Sequence, residues 1–265
     1  MDSEAYKQVQ RLIDAAMVKQ SSESPKRNYL GASRWGEKCM RRLAYEFHNP
    51  GEGKPFEGKT LRIFNVGHDG EERMAEYMRL AGFEIVTHGA DGKQIGFSAA
   101  EGALKGHIDG AITNGPKIEG LKYPCLWENK MLGKKSFDDL VRKGLMESKP
   151  VYYAQMNIYM GYMELEQGLF TAQNRDTCEI YSEVVDFEPH VAQECSDRAV
   201  RIVKSDSPEE FPRISDDPCS FICKFCDYNE KCHFGGKAEQ FPTPYNNIVN
   251  PFFLKPKQTD EDERH

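Results

Sequence analysis

The feature that most restricts the fold of this chain is a cysteine-rich segment, CSFICKFCDYNEKC, at residues 219–232. Within it, Cys223 and Cys226 form a C-x2-C pair, and Cys232 follows closely. A C-x2-C pair holds two thiolates on one tight loop, where both reach a single metal centre. The spacing therefore predicts that this segment binds metal.

Two kinds of metal site compete for these cysteines. A zinc site uses four local ligands, with His233 as a spare: Cys219, Cys223, Cys226 and Cys232. An iron–sulfur cluster uses the last three of them and a distant fourth cysteine. Cys39 is the natural fourth ligand because it lies in a polar, basic stretch, GEKCMRR. The other cysteines lie among apolar or mixed residues and are expected to be small buried side chains: Cys125, Cys178 and Cys195.

Composition limits the class of protein. The chain has 265 residues, of which 39% are hydrophobic, so it can build a core. It contains no apolar run of the roughly 18 residues that a membrane span needs, and residues 1–20 lack the centre of a signal peptide. We therefore expect a soluble, cytoplasmic protein whose cysteines are not disulfides. The net charge of −7 argues against nonspecific coating of nucleic acid.

The hydrophobic pattern predicts alternating groups of helices and strands. Helices are expected over residues 5–19, 35–47, 61–81, 136–146, 151–166 and 189–204. Strands are expected over residues 83–88, 94–99, 104–113, 125–132, 169–174 and 178–187. This order indicates an α/β fold, a mixed sheet flanked by helices with a helical, metal-bearing cap.

One group of charged residues lies on the predicted strands. Asp109 is in GHIDGAI, and Glu128 and Lys130 are in WENKM. Side chains alternate along a strand, so Glu128 and Lys130 share a face, while the Asn129 carbonyl remains available as a ligand. Asp109, expected on a neighbouring strand, adds a second carboxylate. Two carboxylates suit Mg²⁺ or Mn²⁺, and a lysine beside such a metal orients an attacking water, which is machinery for phosphodiester hydrolysis.

An acidic residue followed by E-x-K is a weak signal alone, and a surface charge pair explains Glu128 and Lys130 equally simply. Other polar residues add to it. His68, expected to open the helix over 61–81, is a candidate ligand or an ordinary first-turn residue, and Glu72 is expected to stabilise the helix. Gln155 and Tyr159 share a helix face and point either to the same site or to a core.

Taken in order, these motifs resemble the PD-(D/E)XK nuclease superfamily, in its RecB-like branch with an iron–sulfur cluster. That branch includes CRISPR-associated RecB-like nucleases, AddB-type nuclease domains and similar phage exonucleases. The resemblance runs from about Ser33 to His233. It rests on SRWGEKCMRRLAYEF, GHDGE, GHIDGAI, ENK, QMNIY and the cysteine triplet.

The resemblance implies a restriction-endonuclease-like fold and a role for each residue. The metal ligands would be His68, Asp109, Glu128 and the Asn129 carbonyl. The catalytic residues would be Asp109, Glu128, Lys130, Gln155 and Tyr159. A structural 4Fe-4S cluster would be held by Cys39, Cys223, Cys226 and Cys232. The chain would divide into an N-terminal helical segment, a nuclease core, a cysteine segment and a polar tail, over residues 1–60, 61–205, 206–236 and 237–265.

The implied activity is a Mg²⁺- or Mn²⁺-dependent DNA exonuclease that acts on single strands or ends, in phage recombination or in CRISPR adaptation. The resemblance leaves open whether the chain binds recombination proteins or CRISPR adaptation proteins, and whether it forms a homo-oligomer. Between Lys117 and Lys149, basic residues outnumber acidic ones by eight to five, which gives DNA a local path. Trp35 and Tyr45 are candidates to stack on bases, although a core role is an equal option for Tyr45. The alternative is a noncatalytic nucleic-acid-binding or assembly protein whose cysteines bind zinc.

Overall fold

The structure is a computed structural model, and it describes residues 4–235. Helices and strands alternate along this part of the chain, as the hydrophobic pattern predicts. The helices are α1 (Glu4–Glu23), α2 (Met40–His48), α3 (Gly58–Leu80), α4 (Lys134–Ser148), α5 (Pro150–Met163), α6 (Pro189–Lys204) and α7 (Asn229–Phe234). The strands are β1 (Leu30–Gly31), β2 (Glu84–Val86), β3 (Gly96–Ala99), β4 (Leu104–His107), β5 (Gly110–Asn114), β6 (Cys125–Leu132), β7 (Gln167–Asn174) and β8 (Ile180–Asp186).

The strands form two sheets. The larger has the order β2-β5-β6-β7-β8, and the smaller has the order β1-β4-β3. In the larger sheet β6 is parallel to β7 and antiparallel to β5, so the sheet is mixed. The predicted α/β fold with a mixed sheet flanked by helices is confirmed.

Both faces of β6 are covered, which explains why its sequence, CLWENKML, is mainly apolar. Cys125 and Trp127 pack with Met74 and Met78 of α3 on one face. Leu126 and Leu132 belong to the larger core on the other face, which α4 and α5 cover. The strand is therefore fixed between two layers of helices, and its polar residues are held in a rigid frame.

Helix α3 approaches β6 closely at one glycine. A Cβ atom on Gly70 would lie 2.3 Å from Cγ of Met131, so only glycine allows this spacing without movement of Met131. Gly70 is buried, as are Met74 and Met78 farther along the helix. The contact fixes the depth at which the middle of α3 lies on the sheet.

Most predicted elements differ from the structure by a few residues at their ends, and two differ more. The helix expected over 35–47 begins only at Met40, because Trp35 turns inward, fully buried, and Gly36 packs against Ala154. The strand expected over 104–113 is two strands in different sheets. The chain leaves the small sheet after Ile108, whose amide donates to the Ile95 carbonyl, and enters the large one at Gly110.

Other predictions have mixed outcomes. Cys125 and Cys195 are buried as expected, but Cys178 is exposed because it lies in the turn between β7 and β8 with a φ of 64°. The four-part division of the chain stays a prediction, and the polar tail over 237–265 lies outside the described residues. Within residues 4–235, no helix is both long enough and apolar enough to cross a bilayer.

Candidate active site

The polar residues of β6 lie at a notch in the large sheet. Strand β5 pairs with β6 only as far as Trp127, which faces Gly110. Beyond that point the β5 side of β6 has no strand partner among the described residues. Asp109 immediately precedes β5 and occupies this notch, where its Oδ2 accepts a hydrogen bond of 2.8 Å from the Asn129 amide. Asp109 therefore lies in the bend before a strand, and not on the neighbouring strand as predicted.

The charged groups at the notch contact one another. The Lys130 ammonium donates a hydrogen bond to Oε1 of Glu128 and another, of 3.1 Å, to the Asn129 carbonyl. The same nitrogen lies 3.9 Å from Oδ2 of Asp109. The side chains of Asp109 and Lys130 are only 9% and 18% exposed. The structure thus brings the predicted Asp109, Glu128, Asn129 and Lys130 into one cluster and excludes a surface charge pair.

The surroundings of Glu128 disfavour the charged form of its carboxyl group. Its side chain is fully buried, and its Oε2 has no hydrogen-bond partner within residues 4–235. Burial and the nearby Asp109 raise the pKa of Glu128 above its usual range, although Lys130 opposes the shift. Burial works against the Lys130 ammonium, but Glu128 and Asp109 together raise the pKa of Lys130. A buried carboxylate oxygen without a partner is costly, and a cation satisfies it.

Helix α5 supports the cluster from the opposite side. Gln155 is buried, and its Nε2 donates a hydrogen bond of 2.5 Å to Oε1 of Glu128. Tyr159 is 3% exposed, and burial together with the charge of Glu128 raises the pKa of its hydroxyl. Both residues predicted on this helix face therefore adjoin the site, and Gln155 fixes the orientation of the carboxylate.

Helix α3 contributes a residue that sequence reasoning missed. Glu71 is part-buried, and burial followed by the charge of Asp109 raises its pKa to about 7. His68 was expected at the start of α3 but lies in its middle, because the helix begins at Gly58. The His68 ring is 77% exposed, and its Nδ1 is 3.7 Å from Oε2 of Glu71. Glu72 is exposed. The helical period could have identified Glu71, because it lies on the same face of α3 as the buried residues Met74, Ala75 and Met78, one turn before the first of them.

The cluster matches the chemistry of a hard divalent cation. Its oxygen donors are the carboxylates of Asp109, Glu128 and Glu71 and the Asn129 carbonyl, and one donor, Oε2 of Glu128, has no partner. Carboxylate and carbonyl oxygens are the ligands that Mg²⁺ and Mn²⁺ prefer. In the present side-chain arrangement of residues 4–235, no three His, Cys, Asp or Glu groups are close enough together to hold one metal ion.

The predicted cluster cysteines lie around a second site. One small internal cavity is lined by Cys39, Cys223, Cys226 and Cys232, and also by His233. Burial raises the pKa of Cys226 to about 11. Cys219 is exposed and does not line this cavity. The chain therefore brings together the two distant cysteine segments and leaves Cys219 outside, which removes a ligand from the purely local zinc site.

The contacts around this cavity join α2 and the loop after it to the cysteine segment. The Lys54 amide donates to the Asp227 carbonyl, and the rings of Tyr45 and Tyr228 stack 5.4 Å apart. Arg42 pairs with Asp227 at 3.4 Å. Protein contacts thus already hold the cysteine segment against α2.

The expected base-stacking residues lie elsewhere. Trp35 is fully buried and packs edge-on against Phe97 and Tyr162, and Tyr45 is 2% exposed. Neither ring is available to a base. In the basic run over 117–149, Asp139 pairs with three of the cations, Arg142, Lys143 and Lys149, although the run keeps its excess of basic residues.

No family model matches the chain, and no curated protein does. Among solved structures, the chain is similar to an alkaline exonuclease from Laribacter hongkongensis, with 14% identity, a TM-score of 0.48, and coverage of 73% of this chain and 90% of that one. The same enzyme in complex with dAMP gives 14% identity, a TM-score of 0.46 and the same coverage. A protein called SSO0001 gives 13% identity, a TM-score of 0.45, and coverage of 83% and 94%.

Proposed function

We propose that this chain is a metal-dependent nuclease of the PD-(D/E)XK type, with a restriction-endonuclease-like fold, that hydrolyses phosphodiester bonds in DNA. The observation that carries the proposal is the cluster at the β6 notch. There Asp109 and Lys130 both contact the Asn129 backbone, Lys130 also donates to Glu128, and a buried carboxylate oxygen of Glu128 has no hydrogen-bond partner among the described residues. A structural role alone does not explain a carboxylate buried without full compensation.

The ligands proposed for Mg²⁺ or Mn²⁺ are His68, Asp109, Glu128 and the Asn129 carbonyl, and Glu71 is the carboxylate added from the structure. A divalent ion bound there supplies charge stabilisation to the phosphate and makes a bound water more acidic. Lys130 would then use its ammonium protons to orient the attacking water beside the phosphate. Gln155 holds Glu128 in place, and Tyr159 closes the buried side of the site.

We propose exonuclease action on single-stranded DNA or DNA ends, in phage recombination or CRISPR adaptation. These settings rest on the motif resemblance. A site recessed in a notch, with the Asp109 side chain only 9% exposed, suits a strand or an end better than continuous duplex.

We also propose that Cys39, Cys223, Cys226 and Cys232 hold a 4Fe-4S cluster with a structural role. All four line one cavity, where Cys39 from before α2 lies with the three cysteines of the C-terminal segment. A distant fourth cysteine is what distinguishes the cluster from the purely local zinc site, and Cys219, the local alternative, does not line this cavity. Protein purified without air should be brown and contain iron, whereas colourless, zinc-loaded protein would contradict the cluster.

The direct test of the nuclease proposal uses single- and double-stranded DNA, labelled and blocked at the 5′ or 3′ end, with Mg²⁺ or Mn²⁺. We expect digestion that chelation abolishes. Asp109→Ala and Lys130→Ala should each lose most of the activity. A matched control is Lys93→Ala, which removes an exposed lysine from a turn outside the site. If Asp109→Ala or Lys130→Ala digests DNA as fast as the parent, the proposed mechanism is wrong.

A further inference from the structure

An open groove lies beside the candidate active site, between α1 and the first half of α3. Its volume is about 870 Å³, comparable to pockets that enclose whole ligands. Apolar side chains line most of it, among them Val9, Ile13, Ile63 and Val66. These four side chains are 38–55% exposed, although they are large and hydrophobic. Such an exposed apolar surface indicates a binding site.

The groove has a fixed shape because α1 is held against the start of α3. Arg62 forms an ion pair with Asp14 of α1. Gly58, the first residue of α3, lies so close to α1 that an added Cβ would be 2.5 Å from the Asp14 Cα. The close approach at Gly58 and the ion pair together set the distance between the helices. The groove is therefore built into the fold.

The charge of the groove differs from that of the whole chain. Its lining includes three basic residues, Lys59, Arg62 and Arg175, and no acidic residue, although the net charge of the chain is −7. Arg175 is exposed, and its guanidinium makes no hydrogen bond or ion pair within residues 4–235. Arg62 is already paired with Asp14, which leaves Arg175 to contact an anion. Single-stranded nucleic acid has both apolar bases and charged phosphates, so it matches a lining that is mainly apolar and carries such a cation.

The groove is continuous with the site through two elements. On α3, groove residues Lys59, Ile63 and Val66 share a helix face with Gly70, which contacts β6 beside the cluster. Arg175 lies next to the end of β6, because its amide donates to the Leu132 carbonyl. Lys130 is two residues before Leu132, so at about 3.3 Å per strand residue it is roughly 7 Å from that end, or about two nucleotide steps at about 3.4 Å each.

We propose that this groove holds the single strand of DNA on one side of the scissile phosphate. The bases would lie against Tyr6, Val9, Ile13 and Val66, and Arg175 would contact a phosphate about two nucleotides from the reacting one. The proposal rests on the nuclease function and deepens it, because it makes single-stranded DNA of several nucleotides the preferred substrate.

The test compares Arg175→Gln with Arg73→Gln, which removes an exposed arginine of α3 that is already paired with Glu76. With a 30-nucleotide single strand, Arg175→Gln should raise KM about fivefold to tenfold, change kcat less than twofold, and reduce the slope of affinity against salt by about one phosphate contact. Arg73→Gln should match the parent. The KM effect should vanish on strands shorter than about three nucleotides.

Each result decides one claim. If the parent digests neither long nor short strands, the nuclease function fails. If the parent digests DNA and Arg175→Gln has the same KM, or loses kcat equally at every length, only the groove proposal fails.

A second variant, Ile13→Glu, places a carboxylate in the groove away from the β6 cluster. It should also raise KM for the 30-nucleotide strand and leave the molar mass in solution unchanged. If Ile13→Glu instead lowers the molar mass from an oligomer to a monomer with the KM unchanged, the groove is an interface between copies of this chain, and the proposal is wrong.

Discussion

At the scale of single residues, Glu128 shows how the site is held and why it needs a cation. Lys130 and Gln155 both donate to Oε1, which leaves Oε2 buried without a partner in the described part of the chain. The lysine cancels only part of the negative charge, because Asp109 and Glu71 adjoin the same space. The carboxyl groups of Asp109, Glu128 and Glu71 thus form an acidic pocket, and the Lys130 ammonium lies among them as a positive charge.

The raised pKa of Glu71 predicts how metal binding depends on pH. Because its pKa is about 7, Glu71 is mainly protonated at pH 6 and mainly ionised at pH 8. Divalent metals bind the ionised form, so the affinity for Mn²⁺ should fall as the pH decreases from 8 to 6. Titration calorimetry at several pH values measures this. Glu71→Gln should bind more weakly and show a flatter pH dependence, and an unchanged profile in that variant would contradict the assignment.

The sequence predicted the strand residues of the site, because E-x-K on an alternating strand fixes the faces of Glu128 and Lys130. It did not predict Glu71. Two adjacent glutamates look alike in a sequence, and only the phase of the buried stripe through Met74 and Met78 separates Glu71 from Glu72. The notch was also hidden, because it depends on where β5 stops pairing with β6.

At the scale of elements, the position of α3 on the sheet decides where Glu71 lies. The helix reaches β6 through the contact between Gly70 and Met131. Any side chain at position 70 has to displace Met131, and this moves α3 away from the strand that carries Glu128.

Gly70→Val should therefore destabilise the protein by about 1–3 kcal/mol and slow DNA digestion, because overpacking shifts the helix. Urea denaturation and digestion rates measure the two effects. The double variant Gly70→Val with Met131→Ala removes the obstructing side chain and should recover part of the lost activity. Equal activity in Gly70→Val and the parent would show that the spacing of α3 and β6 is unimportant.

The hydrophobic pattern of the sequence predicted the bounds of some helices and strands and not of others. The bounds of α6, Pro189–Lys204, match the prediction because a proline begins the helix and its apolar period is regular. The segment 104–113 looks like one strand locally, but it divides where the chain passes from one sheet to the other at Asp109. That crossing depends on contacts with Ile95, which sequence periodicity does not report.

At the scale of the whole molecule, the cysteine cavity joins segments that are far apart in sequence. Cys39 precedes α2, and Cys223, Cys226 and Cys232 lie near the other end of the described chain. A cluster at this cavity would close a loop that contains most of the fold, and such a link restricts the unfolded chain. The residue context of Cys39 was enough to predict this pairing of segments.

Cys39→Ser should lose iron and lower the Tm by roughly 5 to 10 °C, because it removes one ligand of a link that closes a long loop. Iron analysis and thermal unfolding of protein purified without air measure both effects. Cys219→Ser is the matched control, because this exposed cysteine lies outside the cavity. Iron loss in Cys219→Ser with full retention in Cys39→Ser would reverse the ligand assignment.

The most direct test of the proposed chemistry is the rate of Mg²⁺-dependent digestion of a single-stranded DNA by Glu128→Gln. This change keeps the shape of the side chain and removes its charge, so circular dichroism should match the parent. The digestion rate should fall by about 1,000-fold or more, since a metal ligand at the reacting phosphate is lost. A folded Glu128→Gln variant that digests DNA within about twofold of the parent rate would contradict a nuclease site at the β6 notch.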